Sequence, residues 1–262
     1  MNLKMKSLWK GFLALLFSPA LYSAPNIETW LDPAFIENAF IQVALRDEYS
    51  PGEKPIRKWQ EPISIFVEHQ VGDQALHNQL LQMHIAHLAQ LTGLTIEVTN
   101  SRQKANVVWV FTQEANYQQV VSQWIGKASD EELASAICKA GFKQKNGAIY
   151  SGAVVIPVDK AREYGKLAAC VVEEITQVLG LPNDSDEAYP SIFNDHSPEE
   201  LLSPLDVVLI TLLYHPEIKA GMSESEVKPV IERVLRQFEH DGTLKNAVKT
   251  AKSAELFALV GY

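Results

Sequence analysis

The apolar positions along the chain switch between two periods. Phe35, Ala39, Phe40, Val43 and Ala44 recur at helical spacing and predict a helix over Pro33 to Tyr49, ended by Ser50-Pro51-Gly52. Ile63-Ser64-Ile65-Phe66-Val67 alternates and predicts a strand. A second helix is expected from a cap at Asp73 to Leu91, with a stop at Thr92-Gly93. Leu94 to Val98 reads as a strand, and Asn106 to Phe111 as one buried on both faces. Helical segments follow over Asn116 to Ile125 and, after a Ser129 cap, Asp130 to Lys139. Gly147 to Pro157 is one or two strands, with Gly152 at a bulge or hairpin. Asp159 to Leu179 reads as one long helix, followed by a polar loop over Leu181 to Leu202. Ser203-Pro204 starts another helix, covering Leu205 to Tyr214. Further helices run from Met222-Ser223-Glu224 to about Glu239 and from Leu244 to Phe257. This order predicts an α+β fold: a mixed sheet backed by helices, with a C-terminal helical extension.

Composition changes the picture at the N-terminus. Lys4, Lys6 and Lys10 precede the apolar run Gly11 to Phe17, and small residues follow at Ser23 and Ala24. The run is too short to span a bilayer and reads as a secretory signal cleaved after Ser23, or else an uncleaved anchor. The expected organisation is a signal peptide over 1–23, an α+β domain over 24–221 and a helical extension over 222–262. Loss of the three lysines takes the net charge from −9 to −12. That acidity argues against nucleic acid or an anionic membrane as the main partner. No later segment is apolar enough to span a membrane, so a periplasmic or secreted location is expected. In an exported chain the two cysteines, Cys138 and Cys170, form one disulfide or remain as two buried thiols.

The chemistry centres on Cys170-Val171-Val172-Glu173-Glu174-Ile175-Thr176-Gln177-Val178-Leu179-Gly180. With each helical residue advancing about 100° and Glu173 set at zero, Gln177 falls near 40°, Cys170 near 60° and Glu174 near 100°. Val171, Ile175 and Val178 gather on the opposite face. Gly180 ends the helix and lets Asn183 or Asp184 return toward the carboxylate face. That face is either a solvated helix surface or a site. His77, His84 and His87 share a second helical arc; they read as structural histidines, although His84 and His87 could also hold a metal. Trp30, Trp59, Trp109 and Trp124 read as core, and His196 beside Asp195 as a surface histidine.

The register of this stretch resembles the zinc helix of the metzincin metallopeptidases, H-E-x-x-H-x-x-G-x-x-H. The three ligand positions fall on Glu173, Gln177 and Asn183, the general base on Glu174, and the glycine on Gly180. Ser191-Ile192-Phe193 is similar to the Met-turn, with Phe193 in the methionine's place. Leu202 to Asp206 and Leu213-Tyr214 resemble the helix that follows. More closely, the chain resembles a family of exported bacterial proteins named domain of unknown function 2927. That likeness rests on Cys170, Glu173-Glu174, Gln177, Leu179-Gly180-Leu181, Asn183-Asp184-Ser185, Ser191-Ile192-Phe193, Asp206, Leu213-Tyr214 and Gly221-Met222.

The metzincin resemblance implies a zinc peptidase, but all three histidine positions are substituted. Amides are poor zinc ligands, and one carboxylate with two amides better suits a hard ion such as calcium. No cofactor is expected; zinc and calcium stay open. Asp184, Asp186 and Asp195 are the carboxylates able to complete an oxygen site. The expected function is non-catalytic binding of a protein or peptide between the edge strand and the Glu173/Glu174 face. The alternatives are a hydrolase with Glu174 as base and an atypical metal, and a structural component of the cell envelope.

Overall fold

The computed structural model describes residues 29–48 and 50–260. The signal-like segment and its junction after Ser23 lie outside them.

A 3-10 turn (Thr29–Leu31) leads into α1 (Pro33–Ala44), capped by Asp32, whose carboxylate accepts from the Ala34 and Phe35 amides. The helix ends before Tyr49 because Arg57 intervenes. Its guanidinium donates to the Ala44 and Arg46 carbonyls at 2.9 and 2.7 Å, taking acceptors that a longer helix would use. Next come β1 (Lys58–Trp59), β2 (Ile63–His69), α2 (Gln74–Thr92), β3 (Ile96–Val98) and β4 (Val107–Thr112). Asp73 gives α2 no side-chain cap; it adopts a left-handed φ of 58° and pairs with Arg162 at 2.8 Å.

The chain continues through α3 (Glu114–Trp124), α4 (Asp130–Ser135), β5 (Lys139–Lys145) and β6 (Ala148–Pro157). The helix expected to reach Lys139 stops at Ser135, and Lys139 instead opens a strand that periodicity did not predict. The overlooked signal is Asn146-Gly147, with φ of 52° and 82°, the dipeptide of a tight hairpin turn. Gly152 marks no turn. It sits within β6, where an added Cβ would lie 2.7 Å from Val178 Cγ1, so it allows a close approach of helix to sheet. The one irregularity in the hairpin's register lies at Lys143/Gln144, opposite the exposed Tyr150.

The long helix expected over Asp159 to Leu179 is two: α5 (Val158–Glu163) and α6 (Leu167–Val178), broken at Gly165 with φ 68°. Then come α7 (Pro204–Leu213), α8 (Glu224–Asp241), α9 (Thr243–Lys252) and α10 (Glu255–Val260). Ser203 and Asp206 form a capping box on α7.

The sheet is mostly parallel: β6, β4, β2 and β3 lie side by side, the short β1 pairs parallel with the start of β6, and β5 pairs antiparallel with β6 at the margin. Every residue of β4 is buried, as its unbroken apolar run predicts. Val107, Trp109 and Phe111 enter the main core with α1, α2, α6 and α7. Val108 and Val110 meet Tyr117, Val120 and Val121 of α3 on the other face. Val227, Ile231, Val234 and Leu244 of α8 and α9 bury into the same main core. Among the described residues, no helix is long and apolar enough to cross a membrane.

Candidate functional site

The central helix α6 is held at its C-terminal end by groups from two other segments. Trp59 Nε1 donates to the Val178 carbonyl at 2.9 Å, and the Tyr214 hydroxyl donates to the Leu179 carbonyl at 2.8 Å. Carbonyls that a helix end leaves open are thereby satisfied in a buried setting. Gly180 follows with φ 117°, and an added Cβ would lie 1.9 Å from the Arg57 carbonyl oxygen. Neither the backbone angle nor the space permits another residue. On its α2 side, His84 Nε2 donates to the Val172 carbonyl at 3.0 Å, and burial pushes His84 down to about 3, so it stays neutral. His77 is buried in a stack with His69 and Phe111. The histidine arc is therefore core. Trp30, Trp59 and Trp109 are core as well.

The remaining face of α6 is neither solvated nor apolar. It floors a cleft of ≈ 740 Å³ that contains Cys170, Glu173, Glu174 and Gln177, as the helical register predicted. The other wall is Cys138 and the start of β5 after it, through Phe142. Cys138 and Cys170 are disulfide-bonded, with Cα atoms 5.9 Å apart, and join that wall to the floor. Arg57, with Asp47 and Glu48, closes one side, and Asp184 and Asp195 from the polar loop close another.

Asp184, not Asn183, returns to the carboxylate face. Gln177 Nε2 donates to Glu173 Oε1 at 3.5 Å and to Asp184 Oδ1 at 3.3 Å, bridging the two. Asn183 turns the other way, and its amide donates to the Gln42 carbonyl at 2.9 Å on α1. The structure thus gathers Glu173, Glu174 and Gln177 but leaves Asn183 out. Glu174 is 4% exposed, and its Oε2 has no hydrogen-bond partner among the described residues. Burial, then the charge of Asp184, pushes the carboxyl of Glu174 well above the usual range. Glu173 is raised for the same reasons, with Glu174 contributing. Asp184 rises to about 7, through burial and then the charges of Glu48 and Asp195.

The donor set does not fit zinc. One of the three metzincin ligand positions points at α1, and the amide of another donates its hydrogens to the neighbouring carboxylates. Among the described residues, no three His, Cys, Asp or Glu side chains are arranged to hold a metal ion. Asp186 and His196 form an exposed pair 3.6 Å apart. The arrangement is instead a set of carboxyls that favours protons or an incoming cation.

The loop carrying Ser191-Ile192-Phe193 is anchored by a buried carboxylate. Asp206 Oδ1 accepts from Ser191 Oγ at 2.5 Å, and Oδ2 accepts from the Ile192 and Ser203 amides at 3.1 and 2.7 Å. Phe193 is fully buried. Arg57 and Asp184 are the site residues that sequence reasoning weighted too little. Asp184 carried a signal, being adjacent to the turn after Gly180; Arg57 carried none, because its partners, the Ala44 and Arg46 carbonyls and Asp47, lie at and just past the end of α1.

No curated protein matches the chain. The family model described as "Protein of unknown function (DUF2927)" matches residues 33–233, which takes in the sheet, α6, the polar loop and most of α8. The chain belongs to the DUF2927 family.

Proposed function

We propose that the chain is an exported, non-catalytic binding protein that captures an extended segment of another protein between β5 and α6. One observation carries this reading: β5 pairs with β6 on one side and walls the cleft on the other. An edge strand offers alternate N–H and C=O groups to an incoming strand, which is how many domains bind peptides by strand addition. The floor beside that edge supplies side-chain contacts, and the disulfide ties edge to floor. The architecture is consistent with a metzincin-like fold whose zinc chemistry is gone. An antiparallel strand margins a parallel sheet, and a helix ended by glycine and a returning loop lies beside it.

The test uses peptides of β-branched residues with alternate amides N-methylated or free. The unmethylated peptides should bind the mature chain and slow amide hydrogen exchange along Lys139 to Lys145. The methylated peptides, which cannot donate to a strand edge, should not. Equal binding of both sets would refute strand addition.

A hydrolase is the second reading, favoured by the buried, proton-holding Glu174 in an open cleft. It predicts cleavage of unfolded casein that is lost in Glu174→Gln. The envelope-structural reading has less support, because α8 and α9 bury their apolar faces into the main core.

A further inference from the structure

We infer that the cleft recognises a lysine side chain of the bound segment, its ammonium seated among Glu174, Glu173 and Asp184. The inference rests on the strand-addition reading above and names what that strand must carry.

Three observations lead there. First, Glu174 Oε2 is buried in the cleft floor and accepts no hydrogen bond among the described residues. A buried acceptor left without a donor is costly, and the cleft is the open direction from which a donor can arrive. Second, the neighbouring carboxyls are under-donated. Gln177 Nε2 is shared between Glu173 and Asp184 at 3.5 and 3.3 Å, both long. Third, Glu48 and Asp195 line the cleft together with Asp184, so a donor entering it meets negative charge.

The geometry separates lysine from arginine. An ammonium is compact and sends three hydrogens in three directions, so it can satisfy a single buried oxygen while its other hydrogens serve neighbouring acceptors. A guanidinium is planar and rewards a two-oxygen fork on one carboxylate. Glu174 offers one buried oxygen, Oε2, that has no partner among the described residues, and not an open two-oxygen face. The lysine stem is long and apolar, which suits passage beside Ile192 and Val178 in the cleft wall.

The charges around the group agree in sign. Glu48 and Asp195 add negative potential from the α1 side and from the polar loop. Lys139 of β5 opposes it at Glu174, but burial and Asp184 outweigh Lys139 there. Arg57 is committed to Asp47 and to the Ala44 and Arg46 carbonyls, and Lys166 to Glu200. Burial and mutual repulsion shift these carboxyls toward their protonated forms, so seating an ammonium favours loss of a proton, which passes to the buffer.

The test measures binding of acetylated, amidated pentapeptide mixtures by calorimetry at pH 7. The outer four positions are mixed Val, Thr, Ser and Ala; the central residue is lysine, norleucine or arginine. Titrations are run in two buffers of different ionisation enthalpy. The lysine set should bind at least tenfold tighter than the norleucine set and release protons. Glu174→Gln, which keeps the side chain's shape, should erase that preference. If lysine and norleucine sets bind equally well, the lysine inference falls while strand addition stands. If arginine matches lysine, the ammonium assignment falls. If no set binds, the inference falls together with the reading it rests on. If the lysine preference survives Glu174→Gln, the ammonium sits elsewhere and the assigned site is wrong.

Discussion

Asp184→Asn should make this protein more stable at pH 8, where most substitutions of a half-buried polar residue destabilise. The unfolded carboxyl ionises near 3.8, whereas the folded one holds its proton to about 7. Between those values the folded state carries a proton that the unfolded state has lost. Stability therefore falls as pH rises through the window and stays at its lower level above it. A rise of that size is worth at most about 4 kcal/mol. The cleft is open and Asp184 is only partly buried, so solvent screening brings the expected gain to about 2 kcal/mol. Asparagine keeps the oxygen that accepts from Gln177 and carries no charge to bury. It also removes the strongest of the charges acting on Glu173 and Glu174, so their own ionisation costs less. For a chain of this size the gain corresponds to a Tm increase of roughly 4–8 °C. Calorimetric melts of parent and variant between pH 4 and pH 8, with the disulfide intact, give the comparison. The two should converge at pH 4 and separate as the pH rises. A variant less stable than its parent at pH 8, or a gap independent of pH, would refute the account of the cleft as a site of buried, mutually repelling carboxyls.

Three other substitutions probe what holds the site. Gly180→Ala places a Cβ 1.9 Å from the Arg57 carbonyl at φ 117° and should cost more than about 3 kcal/mol, read as loss of soluble folded protein. Replacing Cys138 and Cys170 together by alanine opens a loop with a sequence separation of 32. It should cost about 4 kcal/mol in urea unfolding, and no change would mean the bond contributes nothing to the folded state. Tyr214→Phe leaves the Leu179 carbonyl without its donor and should cost about 1–3 kcal/mol. An unchanged urea midpoint there would show that the end of α6 does not depend on that hydroxyl.

The central helix was readable because its information is local. A 3.6-residue period places Glu173, Glu174, Gln177 and Cys170 on one arc whatever surrounds the helix, and a glycine at position 180 announces the stop. The same locality misled at Lys139. Its neighbours Ala136 to Ala140 are compatible with a helix, and it is the pairing of Lys139 with Val155 across a hairpin that makes a strand. Strand identity there comes from a partner sixteen residues away. Gly165 broke a helix whose apolar period ran on unbroken, because the period reports which face is buried and not whether the backbone continues.

By itself the sequence determined the α+β order, the arc of carboxylates on α6, the buried character of β4 and the pairing partners available to two cysteines. Only the tertiary structure decided that the arc is a cleft floor and not a solvated face, because burial depends on what packs opposite. It also decided that Asp184 returns to the site while Asn183 leaves it. Adjacent residues in a turn point in different directions, and their partners, Gln177 and the Gln42 carbonyl, lie on different helices. The raised carboxyls of Glu173, Glu174 and Asp184 follow from that convergence, since desolvation and mutual repulsion act through space and leave no period in the chain.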